Sequence, residues 1–186
     1  MNFLKKPFVA VLLCVVMVLA STLISVDVKL GKACDNVTYS FYDGVRYQGQ
    51  LLPSIADEIR ELCSVTEEMI PIAKNYGIPT DQVSELCEDI KRMINSRDTD
   101  IDEVYGVYAV FYPEVKELEN QLMSSGLSQH HSEAMPGYSA RIAAAKDAVD
   151  SARYNENVTE FLDRNDHFPV NLWAELVGAE FPDYFS

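Results

Sequence analysis

The sequence predicts an all-α protein in which an N-terminal transmembrane helix precedes an antiparallel four-helix bundle with long helices. Three observations favour this class: the chain opens on an uncharged apolar run, apolar residues then recur at steps of three and four, and no alternating strand pattern of useful length appears. We accordingly divide the chain into a short N-terminal segment, 1–6, an anchor, 7–26, and a helical domain, 33–186.

The first segment combines Lys5 and Lys6 with an apolar run over 7–26. A transmembrane helix needs about 20 such residues, whereas a signal peptide has an apolar core of about 7–15. We therefore predict an uncleaved, single-pass signal-anchor in the cell membrane, with a secreted protein and a cleaved signal peptide as the alternative. The basic N-terminus favours an extracytoplasmic domain. Because Lys29 and Lys32 lie on the other side of the run, a cytoplasmic domain is the alternative.

The acidic charge balance of the chain argues against two classes of binding partner. The chain has 15 basic and 29 acidic residues and a net charge of −14. Such a surface repels phosphate, which argues against nucleic acid and against a domain that clings to anionic lipid headgroups. We expect the acidity to serve solubility, with an acidic docking face as the alternative.

An apolar stripe over 52–73, with acidic residues opposite, predicts the first helix of the domain. The stripe continues upstream, which predicts one helix over 34–76. Gly44, Gly49 and Pro53 weaken it, so a kink is expected near Pro53.

Turn and cap residues divide the remainder. Gly77, with a proline two residues on, ends the first helix, and Thr80 is the expected N-cap of a second that reaches about Ser96. A third helix is predicted over 99–125, interrupted at Pro113. A Ser-, Gly- and Pro-rich loop over 127–139 and a fourth helix over 138–165 follow.

The C-terminal tail carries unusual aromatic density. Phe168 and Pro169 are expected to end the fourth helix, and a short helix "VNLWAELVG" capped by Gly178 follows. The aromatic residues beyond it are Phe181, Tyr184 and Phe185. We predict that they plug one end of the bundle, with an exposed docking patch as the alternative.

No catalytic, cofactor-binding or metal-binding residue is predicted. Asp98, Asp100 and Asp102 begin like a calcium loop, but Glu103 and Ala109 stand where that loop needs Gly and Glu. Acidic residues at a helix N-terminus explain the run better.

His130, His131 and Glu133 are interpreted as a solvated loop because no third distant ligand accompanies them. The sequence has no nucleophile elbow and no phosphate-binding glycine loop. We expect no enzyme and no cofactor, with a hydrolase assembled from separate parts of the chain as the alternative.

The cysteines are interpreted by compartment. Cys14 lies in the apolar run, and no Cys-x-x-Cys pair exists. We predict that Cys63 and Cys87 are buried thiols in either compartment. If the domain is exported, the alternative is a Cys63–Cys87 disulfide that leaves Cys34 unpaired.

The last third of the chain resembles the LemA family of membrane-anchored bacterial proteins. The family's Tyr-Asn-x-x-Val, Phe-Pro and closing Tyr-Phe pattern is matched by Tyr154, Asn155, Val158, Phe168, Pro169, Ala174, Gly178, Tyr184 and Phe185. Two earlier family segments are matched around Tyr112 and Pro113, and around Pro53.

The match has departures. A second Tyr-Asn pair of the family is Phe161-Leu162 here, Val110-Phe111 replaces Glu-Ala, and the basic residues expected before Pro53 are missing. The resemblance implies one membrane helix followed by an antiparallel helical bundle, with no assigned catalytic residue. Some members are linked to membrane remodelling or internal membrane compartments, and the family is often described with a cytoplasmic domain, opposite to the orientation favoured above.

These observations predict a membrane-tethered helical scaffold of the bacterial envelope that binds a protein partner, itself a membrane or envelope protein. The working surface is expected on the acidic faces of the bundle or at His130 and His131.

Overall fold

The computed structural model describes residues 7–47, 49–97, 99–167 and 169–186, and its fold is all-α, as predicted. Within these residues the chain forms seven helices and a short two-stranded hairpin. The chain divides into two compact units, each described here by itself. Unit 1 consists of Met1–Thr38 and Asn157–Pro182, and unit 2 of Tyr39–Glu156 and Asp183–Ser186.

Helix α1 spans Pro7–Asp43. Among the described residues, its segment Val11–Asp43 is the one helix long and apolar enough to cross a membrane, and its most apolar stretch has no buried residue. The test uses only the length and composition of the helix, and a signal sequence near the N-terminus also passes it. The Ser21 and Thr22 hydroxyls each donate to a carbonyl one turn earlier at 2.8 Å. These polar groups are therefore satisfied without water.

A hairpin interrupts the stretch 34–76, and the prediction of one kinked helix there is wrong. Strand β1 (Val45–Tyr47) pairs antiparallel with β2 (Gln50–Leu52). Gly44, between α1 and β1, has φ +76°, and a Cβ at this position would lie 2.2 Å from the Leu52 carbonyl oxygen. Only glycine fits such a close approach in this backbone conformation, so the helix ends here. Strands of three residues are too short to show an alternating pattern in the sequence.

The bundle of unit 2 consists of α2 (Ile55–Asn75), α3 (Asp81–Ser96), α4 (Ile101–Ser124) and α5 (Gln129–Ser151). Helix α2 packs against the other three, and α4 packs against α3 and α5. Short connections make successive helices antiparallel. The largest fully buried aliphatic and aromatic side chains include Ile59, Leu62, Met69, Ile90, Phe111, Leu122 and Ile142.

Local caps fix both ends of α2. The Ser54 side chain accepts a hydrogen bond from the Asp57 amide at 2.9 Å and starts the helix. At the other end Gly77 has φ +70°, and the Ile78 amide donates to the Ala73 carbonyl at 3.0 Å. This Schellman motif confirms the predicted end. In the next connection the predicted N-cap, Thr80, does precede α3, but its hydroxyl makes no cap hydrogen bond.

Two prolines lie inside helices where the sequence predicted breaks. Helix α4 continues through Pro113. The predicted loop over 127–139 is wrong, because α5 begins at Gln129 and contains Pro136. Met135 and Ile142 are buried one heptad apart, and packing against α2 outweighs the local preference of Pro and Gly for turns.

The predicted fourth helix over 138–165 is in fact two helices. Helix α5 ends at Ser151, Ala152 is extended (φ −63°, ψ 136°), and α6 spans Tyr154–Asn165. The residues around Ala152 include no Gly or Pro, so the break has no local sequence signal.

Unit 1 has its own small core. Leu30 of α1, Phe161 of α6 and Ala174 of α7 (Val170–Val177) form a buried cluster. The Phe181 ring adds an edge-on contact with Phe161, at 5.4 Å between centroids.

The predicted short helix near the C-terminus is confirmed. Pro169 occupies the N-cap position of α7, and Gly178 ends the helix with φ +69°. The Ala179 amide donates to the Ala174 carbonyl at 3.0 Å, as in a Schellman motif. Phe168, predicted to end the preceding helix, lies outside the described residues.

Candidate binding pocket of unit 2

Three tyrosines on α4 form one wall of a pocket. Tyr105, Tyr108 and Tyr112 are spaced by three and four residues, so they share a face of the helix. The Tyr108 and Tyr112 rings are stacked, with centroids 6.2 Å apart. Pro113 extends this wall, which is therefore apolar and carries phenolic hydroxyls.

A charged pair from α5 lies beside the tyrosine wall. Lys146 and Asp150, one turn apart, form an ion pair. The Lys146 ammonium also lies over the Tyr112 ring, 5.6 Å from its centroid. Such a cation–π contact is worth about 0.5–1 kcal/mol at an exposed site. The pair thus gives the pocket a polar edge.

The end of the chain lines the pocket and is held there by a two-bond clamp. The Asn155 side-chain amide donates to the Phe185 carbonyl at 2.9 Å, and its oxygen accepts from the Phe185 amide at 2.8 Å. One residue earlier, the buried Tyr154 hydroxyl donates to the Asp183 carbonyl at 2.7 Å. The Phe185 backbone is held as a paired strand would hold it.

The clamp places the Phe185 ring among other aromatic side chains. Its centroid lies 5.1 Å from that of Tyr105, 5.5 Å from that of Phe41 and 5.6 Å from that of Tyr108. Phe185 is buried, whereas Tyr184 is 38% exposed. Within unit 2, Phe185 packs as a plug and Tyr184 does not.

The pocket has a volume of about 440 Å³, within the usual size range of ligand pockets. The Tyr108 hydroxyl makes no hydrogen bond to any described residue, although Tyr108 is only 5% exposed. Burial, and secondarily the Asp150 carboxylate, raises the pKa of Tyr108. The hydroxyl therefore stays protonated at neutral pH.

An unpaired buried hydroxyl costs about 1–3 kcal/mol. The aromatic wall of the pocket is suited to an apolar or aromatic group.

The residues that carry the LemA resemblance are distributed over both units. Tyr112, Pro113, Asn155 and Phe185 line the pocket of unit 2. Val158 and Ala174 are buried in unit 1, Pro53 is exposed directly after β2, and the places of the remaining members are given above. In this chain the residues that match the pattern are therefore largely packing and clamp residues.

Tyr105, Tyr108 and Lys146 were not predicted as site residues. The spacing of the three tyrosines was visible in the sequence, but equally typical of a core stripe.

The histidine segment lies in the first turn of α5, not in a loop. The Ser128 hydroxyl accepts from the His131 amide at 3.5 Å, and the Ser128 amide donates to the Tyr76 hydroxyl at 2.8 Å. The Tyr76 hydroxyl also lies 3.3 Å from His131 Nδ1. The bond from Ser128 lowers the pKa of Tyr76. These contacts join the start of α5 to the end of α2.

Among the described residues, no group of three or more His, Cys, Asp or Glu side chains is arranged to hold a metal ion. Asp102 and Glu103, from the rejected calcium pattern, lie in the first turn of α4. Asp98 lies outside the described residues.

Cys63 of α2 and Cys87 of α3 are buried neighbours. Each sulfur lies close to the other residue's backbone carbonyl, at 3.9 Å for Cys63 Sγ and 3.8 Å for Cys87 Sγ. Both are free thiols. The hydrogen bond with Cys87, together with burial, raises the pKa of Cys63, which keeps that thiol unreactive at neutral pH.

Comparisons with models of protein families, with curated proteins and with solved structures find no significant match to this chain. Membership of the LemA family therefore stays a prediction from the motif residues.

Proposed function

We propose that the chain is a membrane-tethered helical scaffold that binds a protein partner, itself a membrane or envelope protein of a bacterium. In this proposal α1 is an uncleaved single-pass anchor and the helical domain is extracytoplasmic. The protein has no catalytic role and needs no cofactor.

The exposed apolar surface of α1 is the observation that supports a membrane tether. Its apolar stretch exposes side chains such as Val11, Met17 and Ile24, and its hydroxyls bond to its own backbone. Exposure of this apolar surface to water costs roughly 25 cal/mol per Å². Contact with the hydrocarbon core of a bilayer does not carry this cost. The acidic balance of the chain keeps the remainder soluble.

The pocket of unit 2 is the proposed docking point for the partner. Its aromatic walls suit an apolar or aromatic side chain of the partner. This assignment replaces His131 as the working surface, because its backbone and ring already contact Ser128 and Tyr76.

Site-specific photo-crosslinking tests the docking point. A benzophenone side chain is placed at Ala109, which lines the pocket and is exposed, or at Val110, the next residue, which is exposed and does not line it. We expect a discrete adduct in membranes from Ala109 only, and none when Asn155→Asp loosens the clamp. Equal adducts from both positions, or none from either, would contradict docking at the pocket.

The competing hypothesis is a hydrolase on the same bundle. It predicts that a hydrolytic activity co-purifies with the full chain and is lost in His131→Ala. A purified protein without such activity favours the scaffold.

A further inference from the structure

We infer that α7 is an interfacial helix that lies on the bilayer surface beside the anchor, with Leu172 and Leu176 inserted among the lipids. The inference rests on the proposed function, because it needs α1 to cross that bilayer. The exposed face of α7 contacts the lipid of the membrane that α1 spans.

Helix α7 carries apolar residues on two opposite faces. Ala174 is buried, and Leu172 and Leu176 lie on the opposite face of the helix, where they are 46% and 63% exposed. In eight residues the helix carries a single charge, Glu175. Two exposed leucines on so short and weakly charged a helix are unfavourable in water, and they favour an apolar surface beside it.

Helix α7 packs beside α1 just beyond the end of the predicted anchor. Ala174 belongs to a buried cluster with Leu30, and Val26 packs against that cluster. The predicted anchor ends at Val26, so Leu30 lies about 6 Å farther along α1 at 1.5 Å per residue. The headgroup layer is roughly 5–7 Å thick on each side of the hydrocarbon core. The core of unit 1 that holds α7 therefore lies at headgroup depth.

The residues near Leu172 and Leu176 are also typical of a membrane interface. Trp173 is half-buried, and tryptophan is enriched at the membrane–water interface. On α1 the exposed apolar surface continues through Ile24 and Val28 to the level of this cluster. The surface on α7 is thus continuous in depth with the surface proposed to contact lipid.

Insertion of leucines does not require anionic lipid. The exposed Lys29 and Lys32 of α1 lie at this level together with Asp27 and Asp35, so their charges balance. We expect α7 to bind neutral and anionic bilayers equally.

Trp173 is the only tryptophan of the chain, and it reports directly on this contact. The full chain is reconstituted in phosphatidylcholine vesicles, with and without phosphatidylglycerol, that contain lipids brominated at the upper part of the acyl chain. Flotation with the vesicles measures anchoring by α1, and quenching of tryptophan fluorescence measures the contact of α7. We expect flotation and strong quenching with both lipid compositions.

The variant Leu172→Gln/Leu176→Gln separates the two contributions. Both positions are exposed, so the helix should form, and we expect unchanged flotation with loss of most of the quenching. Val110→Gln, an equally exposed apolar position in unit 2, is the matched control and should keep full quenching.

The two failures are distinguishable. A wild-type chain that floats without tryptophan quenching, or a double variant that stays fully quenched, overturns the interfacial helix and leaves the tether intact. A chain that does not float overturns the tether and this inference with it.

Discussion

At the scale of single residues, two tyrosine hydroxyls with opposite environments give a matched test. The Tyr154 hydroxyl donates to the Asp183 carbonyl, whereas the Tyr108 hydroxyl is buried without a partner among the described residues. We expect Tyr154→Phe to lower the free energy of unfolding by about 1 kcal/mol and Tyr108→Phe to leave it unchanged or raise it. Urea unfolding followed by circular dichroism measures both. Equal losses in the two variants would show that the Tyr108 hydroxyl is paired.

The same two tyrosines make stability depend on pH. Burial raises the pKa of both, with Asp150 adding to the effect at Tyr108 and Asp183 at Tyr154. In the unfolded chain these groups release their protons at about pH 10, while the folded chain retains them. Above that pH the unfolded state binds fewer protons than the folded state. The contribution of the two tyrosines to stability is therefore fully present below pH 10, and the free energy of unfolding falls as the pH rises further.

Urea midpoints at pH 7.5, 9 and 11 measure this dependence. In the Tyr108→Phe/Tyr154→Phe variant the decrease above pH 10 should be smaller than in the wild type. An equal decrease would assign it to other groups.

At the scale of elements, the hairpin between α1 and α2 depends on Gly44. A Cβ at Gly44 would collide with the Leu52 carbonyl, whereas one at Gly49, which also has positive φ, meets nothing within 4 Å. Positive φ alone costs a non-glycine residue about 1–2 kcal/mol. We therefore expect Gly49→Ala to destabilise by that amount and Gly44→Ala by clearly more. Thermal and urea unfolding of the two variants give the comparison, and equal losses would contradict the close approach at Gly44.

The elements also divide into those with and without a local sequence signal. The end of α2 at Gly77 and the end of α7 at Gly178 were predictable because positive φ favours glycine. The start of α5 was missed because Pro136 and Gly137 indicate a turn, whereas Met135 is buried within the helix. The helical spacing of buried residues continues from Ile142 back to Met135. This spacing predicts the helix when it is given more weight than the turn preference of proline and glycine.

The candidate site was less predictable than the helices. The clamp joins Asn155 to Phe185 across 30 residues, and no periodicity encodes such a pairing. The resemblance marked both residues, but their bond follows only from the tertiary structure. The unpaired Tyr108 hydroxyl likewise depends on neighbours from α5 and the tail.

At the scale of the whole molecule, the central claim is that the intact chain is anchored in a membrane with its helical domain outside the cytoplasm. Asn120 is exposed on α4 and is a suitable reporter, because Cys34 is only partly exposed. Asn120→Cys is introduced into a chain whose four native cysteines are changed to Ser. Intact bacteria expressing this chain are treated with a membrane-impermeant maleimide, and the carbonate-washed membranes are analysed by intact mass.

We expect a labelled species in the membrane fraction whose mass corresponds to a chain that begins at Met1 or Asn2. A labelled, shortened chain in the medium would contradict the anchor and establish a cleaved signal peptide. A full-length membrane species that is labelled only after lysis would retain the tether and place the helical domain in the cytoplasm, contradicting the orientation proposed here.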